Sequence, residues 1–386
     1  MRILYVVSTA DFFCSHRLDL ALEAKKNGHV IALLTGMPSS NEREREAKGK
    51  LESEGIPHFL ARFESGGLSF FSEGRGFLEV LILMKRWKPD LVHCVSPKGI
   101  LYGGLAARIG GIHSLVLAIS GMGWLFSGQK THLLSLMRSV FLRLLKIAAT
   151  HPNCRIIVQN SDDRSLVINN HLAKASNIHL IPGSGVKIDL FKDIPLGLKK
   201  PIVILPARLL ADKGVKEFVM AAQMIRSKGI DWRFALVGGA DYDNPSVISR
   251  DIIEAWVRDG FVEWWGFRSD MVEVYKDASI VCLPSYREGM PKSLLEAAAA
   301  GCAVVTTNVP GCREAIELGQ TGDLVQARNI EDLSRVLEAL ILDPGRRLAY
   351  GIAGRAMAIN KFDLTSVIER TLKIYQELPE RNEFKS

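Results

Sequence analysis

Short apolar runs alternate along the chain with stretches whose apolar positions fall three and four residues apart. In the first half, RILYVVS reads as a buried strand and HRLDLALEAKKNG as a helix with a glycine stop at Gly28. HVIALLTG is a second strand, GFLEVLILMKRWKP a helix ended before Pro89, and DLVHCVS a strand. GGLAARIGG is a short helix bracketed by glycines, SLVLAIS is a strand, and NCRIIVQNS and NIHLIPGSGV close this half. The second half repeats the pattern. PIVILPARL and WRFALVGGA flank the helix VKEFVMAAQMIRSKG, and VEWWGF, ASIVCLPS and CAVVTTN follow with helices between them. Such alternation predicts a parallel sheet covered by helices on both faces.

The polar segment KIDLFKDIPLGLKK, with Pro195 and Gly197, interrupts the alternation. It divides the chain into an N-terminal domain over 1–186, a linker over 187–200 and a C-terminal domain over 201–360. A closing amphipathic helix over 361–386, containing FDLTSVIERTLKIYQEL, is expected to pack back on the N-terminal domain. The expected class is α/β, two doubly wound parallel-sheet domains. Active sites of such sheets lie at the carboxyl ends of the strands, so a cleft between two such domains is the default site.

A length of 386 residues exceeds one comfortable core and suits two domains. The six cysteines form no C-x-x-C pair and several sit in apolar runs, so they read as reduced, buried residues of a cytoplasmic protein. MRILYVV is too short for a secretory signal, and no uncharged apolar span is long enough to cross a bilayer. The expected location is the cytoplasm, peripheral at the inner face of the cell membrane.

Charge is uneven. Residues 1–185 hold 22 Lys and Arg against 14 Asp and Glu, and no acidic residue occurs between Asp90 and Asp162. That suggests an anionic partner for the N-terminal half. Within it, residues 130–149 plot as a basic amphipathic helix with polar positions at His132, Ser135, Ser139, Arg143 and Lys146. This pattern suits an anionic membrane surface, while an ordinary helix packed on the sheet is its plainer reading. Nucleic acid is not expected, because interleaved aromatics are scarce in the basic block.

The chain has no G-x-G-x-x-G after its first strand, no P-loop, no H-E-x-x-H and no G-x-S-x-G. These absences argue against a dehydrogenase, a P-loop NTPase, a metalloprotease and a serine esterase. The distinctive stretch is PSYREGMPKSLLEAAAAG. Pro291 suits the first position of a helix, which leaves Glu288 in the strand-to-helix loop and Glu296 inside the helix. Gly289, Met290, Pro291, Lys292 and Ser293 lie between, and their backbone amides at a helix N-terminus form an anion site. A diphosphate there would be flanked by two carboxylates able to accept hydrogen bonds from sugar hydroxyls. A plain Lys292–Glu296 ion pair on a surface helix is the competing reading. PARLLADKG adds Arg208 and Lys213 after another strand, two cations suited to a diphosphate leaving group. LVGG brings Gly238 and Gly239, and NVPGCREAI brings Gly311 and Glu314.

REGMPKSLLEAAAAGCAVVTTNVPGCREAI resembles the signature of the retaining glycosyltransferases of family 4, which have the two-domain GT-B fold. PARLLADKG, GFRSDM and IPGSGV resemble companion motifs. FFCSHR, KPDLVHCVSPKGILYGGLAAR and YQEL resemble the branch that builds bacterial polysaccharides on lipid-linked carriers. The resemblance implies transfer of a hexose or N-acetylhexosamine from a nucleotide-diphosphate sugar, UDP-linked, to a polyprenyl-diphosphate-linked glycan acceptor with retention. Such chemistry serves surface polysaccharide such as lipopolysaccharide O-antigen or capsule. The implied alternatives on the same fold are a nucleotide-sugar epimerase and a non-catalytic nucleotide-sugar-binding scaffold.

The resemblance also implies roles. Glu296 binds the ribose hydroxyls. Glu288 supports the oxocarbenium charge or the neighbouring sugar hydroxyls, and Arg208 and Lys213 hold the diphosphate. The backbone of 289–293, with Gly238, Gly239, Phe267 and Arg268, completes the donor pocket. No metal and no cofactor are required, and Asp241–Asp243, a D-x-D sequence, reads as a solvated loop. Relatives often carry a histidine where Ser120 stands, so Ser120 or the backbone of Gly121 and Gly123 would take its place. Ser8, Thr9, Asp11, His16, His93 and Lys98 are the acceptor-side candidates, with a buried structural role the alternative for His93.

Overall fold

The computed structural model describes residues 1–37, 42–63, 70–122, 132–197, 199–240, 244 and 246–378. The chain forms two compact units. The first is Met1–Ser184 together with the segment from Val367 on, and the second is Gly185–Ser366.

The first unit contains β1 (Arg2–Val7), α1 (Ala10–His16), α2 (Leu18–Lys26), β2 (Val30–Thr35), α3 (Glu42–Ser53), β3 (His58–Leu60) and α4 (Phe70–Trp87). It continues with β4 (Leu91–Val95), α5 (Pro97–Ile109), β5 (Ser114–Ile119), α6 (His132–Ala149), β6 (Cys154–Val158), α7 (Ser161–Asn169) and β7 (Ile178–Leu180). Its sheet runs β3-β2-β1-β4-β5-β6-β7, with every neighbouring pair parallel. Every residue of β4 and β5 is buried, because helices cover both faces. Alternation along β1 sends Leu4 and Val6 into one core with α4, α5 and α6, and Ile3, Tyr5 and Val7 into another with α1, α2 and α3.

The second unit contains β8 (Lys200–Pro206), α8 (Val215–Ser227), β9 (Arg233–Val237), α9 (Arg250–Arg258), β10 (Glu263–Trp264), α10 (Met271–Asp277) and β11 (Ala278–Leu283). After these come α11 (Lys292–Ala299), β12 (Ala303–Thr307), β13 (Gly322–Val325), α12 (Ile330–Leu342) and α13 (Pro344–Phe362); α14 (Leu364–Gln376) follows, its residues from Val367 on belonging to the first unit. The sheet order is β10-β9-β8-β11-β12-β13, again parallel. In each sheet the winding reverses once, between β1 and β4 and between β8 and β11. Those reversals are the points at which such sheets bind ligands.

Several boundaries differ from the sequence reading. The expected helix HRLDLALEAKKNG is interrupted at Arg17, whose φ of −134° separates α1 from α2. The short helix GGLAARIGG starts earlier, at Pro97, where proline is tolerated in the first turn. The segment 187–200 is not a free linker. Phe191 and Ile194 are buried in the core of the second unit, and Lys200 already belongs to β8. The closing helix begins at Leu364, while residues 361–362 end α13. From Val367 onward α14 buries Val367, Leu372, Ile374 and Tyr375 in the core beside Tyr5 and Val95 of the first unit.

Helix α6 shows more than a polar edge to solvent. Ser135, Ser139, Arg143 and Lys146 are exposed, but so are Leu136, Met137, Val140 and Ile147. Residues 130 and 131 lie outside the described residues, as do Gly123 and the Asp241–Asp243 sequence. Among the described residues no helix is long and apolar enough to cross a membrane.

Candidate active site

In the second unit the loops leaving β8 and β11 meet at the sheet's reversal. Lys213 ends a single 3-10 turn, Ala211–Lys213, and its Nζ donates to Glu288 Oε1 at 2.5 Å. Both side chains are largely buried, 17% and 13% exposed, so breaking the pair leaves a poorly solvated charge behind. An ammonium has three donors, and Glu288 takes one. Around the pair the loops are laced together. Asp212 O accepts from Tyr286 N at 2.8 Å and from Ser285 Oγ at 3.1 Å, while Arg287 pairs with Asp212 at 3.5 Å. Tyr286 extends across and donates its hydroxyl to Glu217 Oε1 at 2.5 Å, and Arg328 covers its ring at 4.5 Å. Burial, then Glu217, pushes the Tyr286 phenol up, which keeps it protonated as a donor.

Glycine makes this lacing possible. A Cβ on Gly214 would lie 2.1 Å from Pro284 O, and one on Gly238 would lie 1.9 Å from Ala207 O. Gly311, at φ +78°, brings the loop after β12 against Gly289 and Glu288, leaving 2.3 Å between its would-be Cβ and Gly289 O. Its N–H donates to Glu314 Oε2 at 2.7 Å. Arg208 is exposed at the end of β8, in the loop that leads to Lys213.

Pro291 stands one residue earlier than expected. It is the N-cap of α11, in an extended conformation, and its carbonyl accepts from Leu294 N and Leu295 N. Lys292 is therefore the first helical residue and Glu296 lies a little over one turn in. The i,i+4 ion pair does form, Lys292 Nζ to Glu296 Oε1 at 3.6 Å. It is not the whole environment of Glu296. Oε2 accepts from the hydroxyl of Tyr275 at 3.3 Å, and burial pushes the carboxyl up against the pull of Lys292 and Tyr275.

Other residues expected on the donor side are placed less centrally. Gly238 O accepts from Trp264 Nε1 at 2.9 Å, and Gly239 O accepts from Leu209 N at 3.1 Å, so this glycine pair joins β9 to the Arg208 loop. Phe267 is 54% exposed. Arg268 donates both guanidinium arms to its neighbour Asp270, at 2.6 and 2.5 Å.

In the first unit the reversal joins Ser8 and Ser96, whose hydroxyls lie 2.5 Å apart. Ser96 holds φ +68°, a strained value for a residue other than glycine, where β4 turns into α5. Thr9 donates to Asp11 at 2.5 Å. The N–H groups of Ala10 and Asp11 are both taken by the buried carboxylate of Glu44, each at 3.0 Å. His16 stacks on Phe12 with ring centroids 4.3 Å apart, and Lys98 pairs with Glu73 at 2.6 Å. Ser120 and Gly121 line a small apolar cavity of about 20 Å³ with Ser96, Ile119, Met122 and Phe141.

For His93 the structure shows the buried placement that its alternative reading describes. It is enclosed, stacked on Tyr5 at 5.1 Å, with Nδ1 2.5 Å from the Tyr375 hydroxyl. Its ring joins the sheet to α14. Sequence reasoning missed Asp163. Its Oδ1 accepts from Met122 N at 3.0 Å and so holds Met122, next to Gly121. The N-x-x-D spacing Asn160–Asp163, a helix start, was the available signal, since Asn160 caps α7 through Asp163 N.

The fold defined here recurs in solved structures. The Anabaena protein HepE in complex with UDP aligns with a TM-score of 0.75 at 18% identity, covering 98% of this chain and all of that one. Sucrose-phosphate synthase from Thermosynechococcus elongatus aligns at 0.76 and 18% identity, covering 98% and 99%. The architecture is GT-B, two parallel-sheet α/β domains. The family model "Glycosyl transferases group 1" matches residues 186–357, and "Glycosyl transferase 4-like" matches residues 2–160. The N,N'-diacetylbacillosaminyl-diphospho-undecaprenol alpha-1,3-N-acetylgalactosaminyltransferase of Campylobacter jejuni is 30% identical over 85% of this chain and 88% of its own length. The UDP-Gal:alpha-D-GlcNAc-diphosphoundecaprenol alpha-1,3-galactosyltransferase of Escherichia coli is 24% identical over 81% of each. The chain belongs to this glycosyltransferase family.

Proposed function

We propose that this glycosyltransferase moves a hexose or N-acetylhexosamine, with retention, from a UDP-sugar to a polyprenyl-diphosphate-linked glycan in bacterial surface-polysaccharide assembly. The observation that carries the donor half is the Lys213–Glu288 pair at the β8/β11 reversal, with Glu296 a turn into the helix that follows. The free donors of Lys213, the Arg208 guanidinium and the amides at the start of α11 hold the diphosphate as it leaves. Because these groups supply the positive charge, the transfer needs no metal. Glu288, fixed by Lys213, supports the positive charge that develops on the sugar, and Glu296 takes the ribose hydroxyls. The leaving diphosphate itself assists deprotonation of the acceptor, so no protein base is required.

The acceptor half is supported by the printed activities of the relatives. Solvent-facing Leu136, Met137, Val140 and Ile147 beside Arg143 and Lys146 on α6 support a peripheral position on an anionic membrane. The test is incubation with a panel of nucleotide sugars and polyprenyl-diphosphate glycans, with products read by mass and anomeric configuration by NMR. Donor consumed only with a lipid-linked acceptor, giving an axial linkage, supports the reading. Product from donor alone, or no turnover together with no UDP binding, rejects it.

A further inference from the structure

Tyr275 lies in α10 and is fully buried. Its ring packs 6.2 Å from Phe191, and its carbonyl accepts from Lys199 Nζ at 2.8 Å and from Cys302 Sγ at 3.3 Å. Backbone and ring are thus fixed by groups on three other segments. Only the hydroxyl points toward α11, where it reaches Ser293 O at 3.1 Å and Glu296 Oε2 at 3.3 Å. A phenol has one proton to donate. The Ser293 carbonyl, inside a helix, has its own donor in the amide four residues on. Glu296 Oε2 has no such intrahelical donor, so the carboxylate has the greater call on the Tyr275 proton.

The acceptor capacity of Glu296 can then be counted. A carboxylate offers about four lone-pair sites, two on each oxygen. Tyr275 occupies one on Oε2, while Lys292 stands beside Oε1 as an ion pair at 3.6 Å. Among the described residues each oxygen thus keeps at least one acceptor site, which is what a vicinal diol requires. Lys292 is a flexible side chain, 35% exposed, and fixes the carboxylate plane poorly. Tyr275 is rigid, and a binding group is held to useful precision by such packed support.

We propose that Tyr275 is a positioning residue for nucleoside recognition, holding the Glu296 carboxylate so that each oxygen accepts one hydroxyl of a ribose cis-diol. The inference rests on the reading of Glu296 as the ribose contact. It makes discrimination between ribo- and 2′-deoxyribonucleotides depend on a residue that touches neither.

The experiment is calorimetric titration of the full chain with UDP and with 2′-deoxy-UDP, for the native protein, Tyr275→Phe and Glu296→Gln. The native protein favours UDP by about tenfold, the worth of one charge-assisted hydrogen bond. Tyr275→Phe is expected to cut that ratio severalfold, with kcat under saturating donor largely retained. A purely structural role would weaken both ligands equally, so an unchanged ratio in Tyr275→Phe overturns the proposal. Glu296→Gln separates the two claims. If it leaves the ratio intact, the ribose reading itself fails. If it flattens the ratio while Tyr275→Phe does not, only the positioning role fails. Should Tyr275→Phe not fold, 3-fluorotyrosine at 275 keeps ring and hydroxyl. Its ¹⁹F resonance is expected to move more with UDP than with 2′-deoxy-UDP, and equal shifts overturn the proposal.

Discussion

Lys213 and Glu288, 75 residues apart in sequence, form a largely buried ion pair where the β8 and β11 loops meet. Neither strand end makes a site alone. On the proposed reading, the pair orients a cation for a diphosphate and a carboxylate for the sugar in one contact. Glu288→Gln keeps the shape but removes the charge. It is expected to lower kcat by about 10²–10³-fold, the usual cost of one preorganised electrostatic group. The donor KM should change far less. A kcat within twofold of native would assign Glu288 to structure alone.

Gly311 and Gly319 separate strain from crowding. Both have positive φ, +78° and +73°, but only Gly311 has backbone atoms where a Cβ would go. Gly319→Ala should cost about 1–2 kcal/mol of stability through backbone conformation, with activity intact. Gly311→Ala should cost more and also displace Gly289, lowering turnover. Denaturant melts with initial rates make the comparison, and equal rates in both variants would detach Gly311 from the site.

The Tyr286 brace makes a similar prediction for the neighbouring loop. Tyr286→Phe leaves Glu217, already buried with Oε2 unpartnered among the described residues, without the hydroxyl that satisfies Oε1. A loss of about 1–3 kcal/mol is expected. Because Tyr286 ties down the loop of Glu288, turnover should fall with stability. Unaltered melting in this variant would show that water replaces the phenol.

His93 gives a pH dependence. Burial, and then the charge of Arg17, hold its pKa well below the ordinary histidine value. The neutral ring is thus the form that folds. Above about pH 6.5 the ring is neutral in folded and unfolded chains, and this contribution is complete. As pH falls below that value the unfolded chain takes up a proton that the folded one refuses, so stability declines toward the depressed folded pKa. Burial also lowers His58, to about 4, which adds to the same trend. His93→Phe should flatten the stability–pH slope between about pH 6.5 and 4.5. A slope as steep as native would place the acid sensitivity elsewhere.

The two sheets were legible because their central strands, among them β1, β5, β8 and β11, are largely apolar runs, with helices of three-and-four spacing between them. Pro291, read as a break, correctly separated Glu288 from the helix of Glu296, although it caps α11 instead of opening it. Boundaries were misread where long-range packing overrides local polarity. KIDLFKDIPLGLKK looks like a linker, yet Phe191 and Ile194 anchor it in a core that is distant in sequence. Tyr275, Glu217 and Asp163 were missed for the same reason. Each acts through a partner 18 to 69 residues away, which local spacing does not announce; for Asp163 the Asn160–Asp163 spacing signals only the helix start. His93 was ambiguous because its meaning depends on Tyr375, 282 residues on.

The most direct measurement is calorimetric titration of UDP, in the presence of a chelator, into the native protein and Lys213→Met. If Lys213 and the start of α11 hold the diphosphate without a metal, the native protein binds UDP under these conditions. Lys213→Met should then bind it at least about tenfold more weakly. Equal affinity in the two proteins, or native binding that appears only when a divalent cation is restored, would contradict the account.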